Sequence, residues 1–382
     1  MEKKTRRTFL CQAARTGAAL PLAAAAMHLA PGAATRAAAQ PDNPIPYMRE
    51  VPYYEKLKNK QIKCKICPRE CVVGDKERGF CGNKENHGGK YETLAWGNPC
   101  AAHNDPIEKK PLFHFLPGAQ AFSIAAAGCN FDCKFCQNWD ISQSRPEQTR
   151  NLDLPPKDVV RYAKQVAAAS IAYTYGEPVV FYKYMYDCAQ AGRAAGLRSV
   201  MISNGYINTK PLAALCGVLD AVKIDFKAYT DKFYKQTCLG TLKPVLDAMV
   251  TVKEHKVWLE LVYLVVPTLN DNASDIRAMA KWIVKTLGAD TPIHFSRFQP
   301  QYKLKNLPPT PLDTLDRVYD ICRDQGLHYV YIGNVPGHRA ESTQCPKCGK
   351  TVIARYGYLV TSNDIKNGKC RFCGKAIAGV WA

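Results

Sequence analysis

Three cysteines in the stretch AAAGCNFDCKFCQNWDIS, Cys129, Cys133 and Cys136, stand at a C-x3-C-x2-C spacing. Thiolates this close in sequence are metal ligands in the first instance. Structural zinc sites and most iron–sulfur clusters take four protein ligands, and this loop offers three. Three thiolates can hold three irons of a 4Fe–4S cube and leave the fourth iron without a protein ligand. An open metal position is the mark of a catalytic site rather than a structural one.

Two further cysteine groups have metal spacing. Cys345, Cys348, Cys370 and Cys373 form two C-x2-C pairs, each followed by Gly, with residues 349–369 between them. That pattern reads as a four-thiolate zinc site or a rubredoxin-like iron, since tetrahedral sulfur suits both metals. Cys64, Cys67, Cys71 and Cys81 follow a C-x2-C-x3-C-x9-C pattern. Zinc and an auxiliary 4Fe–4S cluster fit it equally, and a redox pair such as a disulfide is the remaining reading. Its place just upstream of the first strand is that of a cap over the site or a docking module. Cys100, Cys188, Cys216, Cys238 and Cys322 are scattered and read as small core residues.

The elements that must position the three-cysteine loop follow it in a regular series. AFSIAAAG (121–128) reads as a strand, and PKDVVRYAKQVAA (156–168) as a helix opened by two prolines. From there strands and helices alternate to the last strand, LHYVYIGNV. Such alternation means βαβ units and a parallel sheet. The expected fold is α/β, a partial (β/α)6-type TIM barrel with small Cys-rich N- and C-terminal modules; a doubly wound open sheet is the alternative. No G-x-G-x-x-G follows the first strand. In barrels the active residues sit at the C-terminal ends of strands, and the three-cysteine loop directly follows strand one.

The chain begins with a basic segment, an Ala/Leu-rich stretch and the run Ala37-Ala38-Ala39, the pattern of an export signal cleaved after Ala39. Arg6-Arg7-Thr8-Phe9-Leu10 resembles the twin-arginine motif. The apolar stretch is too short to serve as a transmembrane anchor. Twin-arginine export carries folded cargo, so a cluster can be loaded in the cytoplasm before the protein reaches the periplasm; a cytoplasmic form starting at Met48 is the alternative. The formal net charge of +19 falls to +14 without residues 1–39. The lysines are scattered rather than bunched, so nucleic-acid binding is not indicated. The expected organisation is a signal at 1–39, a linker at 40–59, an N-terminal Cys-rich module at 60–110, the barrel at 115–335 and a C-terminal four-cysteine ribbon-like module at 340–382.

The three-cysteine loop, with Phe135 before its third cysteine, resembles that of the radical S-adenosylmethionine (SAM) superfamily. The resemblance implies a 4Fe–4S cluster whose open iron is chelated by SAM. It further implies reductive cleavage of SAM to a 5′-deoxyadenosyl radical that abstracts hydrogen from a substrate. YTYGEP after strand two matches the segment that holds the SAM amino group, which points to Gly176 and Glu177. SNGY after strand three places Ser203 and Asn204 beside SAM, and KIDFKA places Asp225 and Lys227 there, as in glycyl-radical-enzyme activases. Activases often carry a ribose-contacting histidine further on; SRFQP has Gln299 there, and the nearest histidine is His294.

A narrower likeness covers about residues 60–382. CKICPRECVVGDKERGFCGNKEN, GCNFDCKFCQNWDISQ, VVPTLND, HFSRFQPQYK and YVYIGNVPGH resemble, in order, the radical SAM enzymes of the AmmeMemoRadiSam system, relatives of pyruvate-formate-lyase activating enzymes. That likeness implies a low-potential donor of flavodoxin or ferredoxin type and Memo-type and AMMECR-type partners, and names no substrate. An exported electron-transfer or metal-relay protein without SAM turnover is the alternative reading.

Overall fold

In the computed structural model, which describes residues 45–382, seven parallel strands carry the three-cysteine loop and its neighbours. The expected export signal, with Arg6 and Arg7, lies outside the described residues. Six short strands come first: β1 (Arg49–Glu50), β2 (Tyr54–Lys56), β3 (Ile62–Cys64), β4 (Val72–Val73), β5 (Lys84–His87) and β6 (Lys90–Thr93). They form two three-stranded sheets, β1-β6-β5 and β2-β3-β4, and Cys64 to Cys81 lie within them.

The main sheet contains β7 (Ala101–Pro106), β8 (Gln120–Ala125), β9 (Ser170–Tyr173), β10 (Arg198–Ser203), β11 (Ala221–Asp225), β12 (Trp258–Val265), β13 (Ile293–Arg297) and β14 (Val330–Gly333). Its order is simply β14 back to β7, with β7 antiparallel to β8 and every other pairing parallel. Helices α1 (Trp139–Ser142), α2 (Pro156–Gln165), α3 (Tyr182–Ala194), α4 (Thr209–Cys216), α5 (Asp231–Phe233), α6 (Lys243–Glu254), α7 (Ala273–Thr286) and α8 (Leu312–Asp324) fall between the parallel strands. The helix starts follow local chemistry. Pro156 supplies the first turn of α2, and the Asn272 side chain accepts from Ser274 N at the start of α7. On α7, Ile276, Met279, Ala280 and Ile283 form the buried stripe. The parallel strands are buried on both faces, as strands covered by helices must be: all four residues of β9 are buried.

The sheet is a partial barrel and does not close. Among the described residues β14 pairs only with β13 and β7 only with β8, so the barrel is partial, as expected, and its sheet is open. The antiparallel β7 occupies the edge that a closing parallel strand would need. Sequence reading left β7 within the N-terminal module, because AAHNDP lacks the apolar run of the other strands; its six residues pair instead along the whole of β8.

The C-terminal strands, β15 (Thr343–Gln344), β16 (Thr351–Tyr356), β17 (Leu359–Asn363), β18 (Ile365–Lys366) and β19 (Lys369–Cys370), fold around the last four cysteines. This module sits under the N-terminal ends of the parallel strands. Phe113, Tyr329 and Tyr331 share an apolar cluster with Cys345, Val352, Cys370 and Ile377. Val380 N–H donates to His114 O, and Leu116 N–H to Val380 O. Beneath that contact lies a buried polar network. Glu260 accepts from the backbone of Phe113 and His114, from Trp258 Nε1, and from His294 Nε2 at 2.7 Å. Burial would raise the Glu260 carboxyl, but the His294 contact prevails and holds it at about 2. Burial pushes both histidines down, His114 to about 4. His294 is therefore a part of the module junction, near the start of β13, and removed from the ribose position that a histidine takes in activases.

Candidate active site

The loop after β8 is held from two sides. Gly128 has φ +100°, and a Cβ there would meet Cys81 O at 2.4 Å, so only glycine lets the N-terminal module approach this closely. Asn83 Nδ2 donates to Ala127 O at 2.8 Å, and Arg69 Nε to Asn130 O at 2.6 Å. On the other side, Asp132 N–H donates to Cys238 O and Lys134 N–H to Thr237 O. Those acceptors belong to a short π-helix, Tyr234–Cys238, that follows α5. Pi-helical turns concentrate at functional sites; the sequence reading passed over this one because a one-turn irregularity leaves no periodicity.

The sulfurs of the loop accept hydrogen bonds. Phe131 N–H points at Cys129 Sγ at 3.3 Å, and the Ser142 hydroxyl lies 3.2 Å from Cys136 Sγ. Asn204 Nδ2 reaches to 3.9 Å from Cys129 Sγ. Cys133 has Cys238 beside it; that contact, then burial, pushes its thiol up. Burial does the same for Cys129 and Cys136. Thiols so disposed become thiolates only with a cation to neutralise them, as metal binding provides. Among the described residues only Cys345, Cys348, Cys370 and Cys373 bring their ligand atoms within 4.8 Å of one another. The triad is more widely spaced than a single ion requires. A cube puts each thiolate on a different iron, so a donor set of three thiolates on one loop fits a 4Fe–4S cluster.

The residues expected beside SAM converge on this loop. Glu177, Ser203, Asn204, Asp225 and Lys227 sit at or just past the C-terminal ends of β9, β10 and β11, adjacent in the sheet to β8. Their roles differ from a simple ligand list. Glu177 Oε1 accepts from Val179 N and Ser203 Oγ, and its Oε2 from Asn204 N. Burial pushes its carboxyl up to about 7 in spite of those three donors. Ser203 and Asn204 are spent internally as well: Ser203 Oγ accepts from Gly205 N, and Asn204 Nδ2 donates to Asn130 Oδ1 at 2.8 Å. Gly176 lies against the first loop, where a Cβ would meet Ala126 O at 2.9 Å. Glu177, Ser203 and Asn204 thus form a brace that positions backbone and the Asn204 amide against Cys129.

Asp225 and Lys227 are the charged pair with exposure to the site, at 28% and 15% of their side chains. Asp225 is flanked by Lys223 and by Lys227, the latter at 3.0 Å. Burial would raise the Asp225 carboxyl, but the two ammonium groups hold it at about 2. Lys227 is pushed down by burial and up by Asp225, Cys133 and Cys238, with the rise prevailing. A fixed cation therefore stands beside Cys133, and a fixed carboxylate beside it. Lys223 was missed in the sequence, although a lysine in the apolar run AVKID is itself a signal of a buried charge pair.

The C-terminal set has different geometry. Cys345 Sγ and Cys373 Sγ lie 3.6 Å apart, and Cys348 Sγ and Cys370 Sγ 3.8 Å. A tetrahedral ion with metal–sulfur bonds of about 2.3 Å requires sulfur–sulfur edges of about 3.8 Å. The two knuckles repeat each other: Gly349 N–H donates to Cys345 O and Gly374 N–H to Cys370 O. Zinc and a single iron both fit this set.

Similarity to known proteins extends over most of the chain. Residues 123–283 match the family described as the Radical SAM superfamily. The uncharacterized protein MJ0808 of Methanocaldococcus jannaschii is 45% identical over 332 residues, covering 86% of this chain and 99% of that one. A second protein of that organism, the uncharacterized MJ0674, is 25% identical over 294 residues, covering 72% and 79%. Among solved structures, a radical SAM methyltransferase from Sphaerobacter thermophilus is similar at a TM-score of 0.47 with 15% identity, covering 61% of this chain and 71% of its own. A domain of a pyruvate-formate lyase-activating enzyme from Bacteroides vulgatus is similar at a TM-score of 0.39 with 14% identity, covering 44% and 100%. Among the described residues no helix is long and apolar enough to cross a membrane.

Proposed function

We propose an activase-like role for this chain, which belongs to the radical SAM superfamily and cleaves SAM reductively. The 4Fe–4S cluster, when bound, supplies the electron that cleaves SAM to methionine and the 5′-deoxyadenosyl radical, and the protein's part is to place and shield the reactants. Cys129, Cys133 and Cys136 would hold it. The observation that carries this reading is the convergence of the triad, the Glu177–Ser203–Asn204 brace and the Asp225–Lys227 pair at the ends of four adjacent strands.

Within that arrangement the residues divide their work. Glu177 is a positioning residue: it orders Ser203 and Asn204 and keeps the β10 loop against Cys129. Asp225 remains ionised at neutral pH and can accept from hydroxyl or ammonium groups of a ligand. Lys227 offers a charge to a carboxylate. The N-terminal module packs against the triad loop at Gly128.

The enzyme takes its electron from a one-electron, low-potential donor of flavodoxin or ferredoxin type. Memo-type and AMMECR-type proteins are the proposed partners, on the likeness of the quoted motifs. The leader at 1–39 would direct folded, cluster-loaded protein through the twin-arginine route to the periplasm.

SAM binding tests the site without need of the substrate. Anaerobic full-length protein, reduced with dithionite, should show an altered electron paramagnetic resonance signal when SAM is added. Asp225→Asn should weaken that response by about tenfold or more in SAM concentration, the worth of one charged contact. A spectrum that ignores SAM would overturn the assignment.

A further inference from the structure

Cys64, Cys67, Cys71 and Cys81 take no part in the arrangement above, yet they adjoin it. They line one small cavity together with Lys84, Tyr91 and Asn130. None is in a disulfide. Phe80 N–H points at Cys71 Sγ at 3.4 Å.

Lys84 is the unusual neighbour. It is 3% exposed, donates to Val180 O at 2.7 Å, and lies 3.6 Å from Cys81 Sγ. A buried ammonium is costly unless negative charge faces it. The side chains that share its cavity are those of Cys64, Cys67, Cys71 and Cys81. Four sulfurs beside a buried cation in one cavity are a metal-binding set, because an anionic metal–thiolate centre would face the Lys84 charge.

Spacing decides between metals. The C-terminal four draw within 4.8 Å of one another, as one tetrahedral ion demands; among the described residues the N-terminal four do not. In this they behave like the Cys129 triad. One chain thus provides both standards, and the N-terminal set falls with the cluster site. We propose that Cys64, Cys67, Cys71 and Cys81 ligate a second 4Fe–4S cluster, with Lys84 as its buried counter-charge.

Its position is beside the first. Cys81 O is the atom that forbids a Cβ at Gly128, the residue before Cys129. A cleft of about 580 Å³ is lined by Cys81 and by Cys129 together. Because the set has four thiolates, it leaves no iron open to SAM, which separates its chemistry from that of the triad.

Acid-labile sulfide distinguishes the metals, since zinc carries none. Full-length protein would be expressed with ample iron and assayed as isolated under anaerobic conditions. The wild type should carry about eight labile sulfides per chain and the Cys129→Ala/Cys133→Ala/Cys136→Ala variant about four, as two cubes and one cube require. That variant leaves the N-terminal set untouched, and metal retained at the C-terminal site certifies its fold. In the same background Lys84→Gln should shift the remaining cluster's midpoint potential in the negative direction, because a positive neighbour is lost. A triad variant with no labile sulfide, or with zinc in the N-terminal set, overturns the proposal; an unchanged potential in Lys84→Gln overturns the counter-charge.

Discussion

Cys345, Cys348, Cys370 and Cys373 close around one point at the N-terminal ends of the strands. Cys64, Cys67, Cys71 and Cys81 line a small cavity at the opposite end, pressed against the loop that carries the triad. Each set has four cysteines, so the number of ligands does not explain the difference. What differs is the company each set keeps. The C-terminal four sit on small antiparallel strands with Cys348 exposed, and pack against apolar side chains that stabilise the fold. The N-terminal four enclose a lysine and touch the catalytic loop. In an α/β barrel the strands' C-terminal face carries chemistry and the opposite face carries stability, and the two sets obey that division.

The sharpest way to break this comparison is to remove the metal from the stability face. Cys370→Ser, at a buried ligand, should cost roughly 3 kcal/mol or more and lower Tm by at least about 5 °C. Labile sulfide should be unchanged. Thermal denaturation with metal and sulfide analysis reads both; a loss of sulfide would mean that the two ends are not independent.

Acid tests the same face without a mutation. His114 is fully buried with a folded value of about 4 against 6.5 in the open chain. Between those values the unfolded chain binds more protons, so the contribution is complete above about pH 6.5 and is lost as pH falls toward 4, on the order of 3 kcal/mol in all. Denaturant melts from pH 7 to 4.5 should show it, and His114→Gln should flatten the slope. A slope unaltered by that variant would place the acid sensitivity elsewhere.

Smaller effects belong to the catalytic face. Arg78 spans Glu85 in the N-terminal module and Glu147 beyond the triad loop, at 2.7 Å each. The three are partly exposed, so Arg78→Ala should cost only about 1 kcal/mol. Faster amide exchange at residues 78–85, with none in the C-terminal module, is the expected result. Ser142→Ala removes the hydroxyl beside Cys136 Sγ and should shift the triad cluster's midpoint potential slightly negative. Redox titration reads this, and a shift at another cluster instead would misplace Ser142.

The sequence revealed the catalytic face unevenly. The βαβ series was readable because buried parallel strands and amphipathic helices leave strong periodicities; α7 buries Ile276, Met279, Ala280 and Ile283 at helical spacing. The metal sets were readable because ligand spacing is a local property. Long-range partners were not. That Glu177 is spent on Ser203 and Asn204 depends on β9 lying beside β10. Lys84 faces Cys81 across a turn that no periodicity marks. His294, the histidine nearest to the position that activases use, pairs with Glu260, one strand away.

The central claim is that the triad supports reductive cleavage of SAM. Anaerobic full-length protein with its clusters loaded would be reduced with dithionite and given SAM, and 5′-deoxyadenosine measured beside Cys133→Ala. The account predicts product from the wild type and none above background from the variant. No product from a wild type that is folded and iron-loaded, or equal product from both, would contradict it.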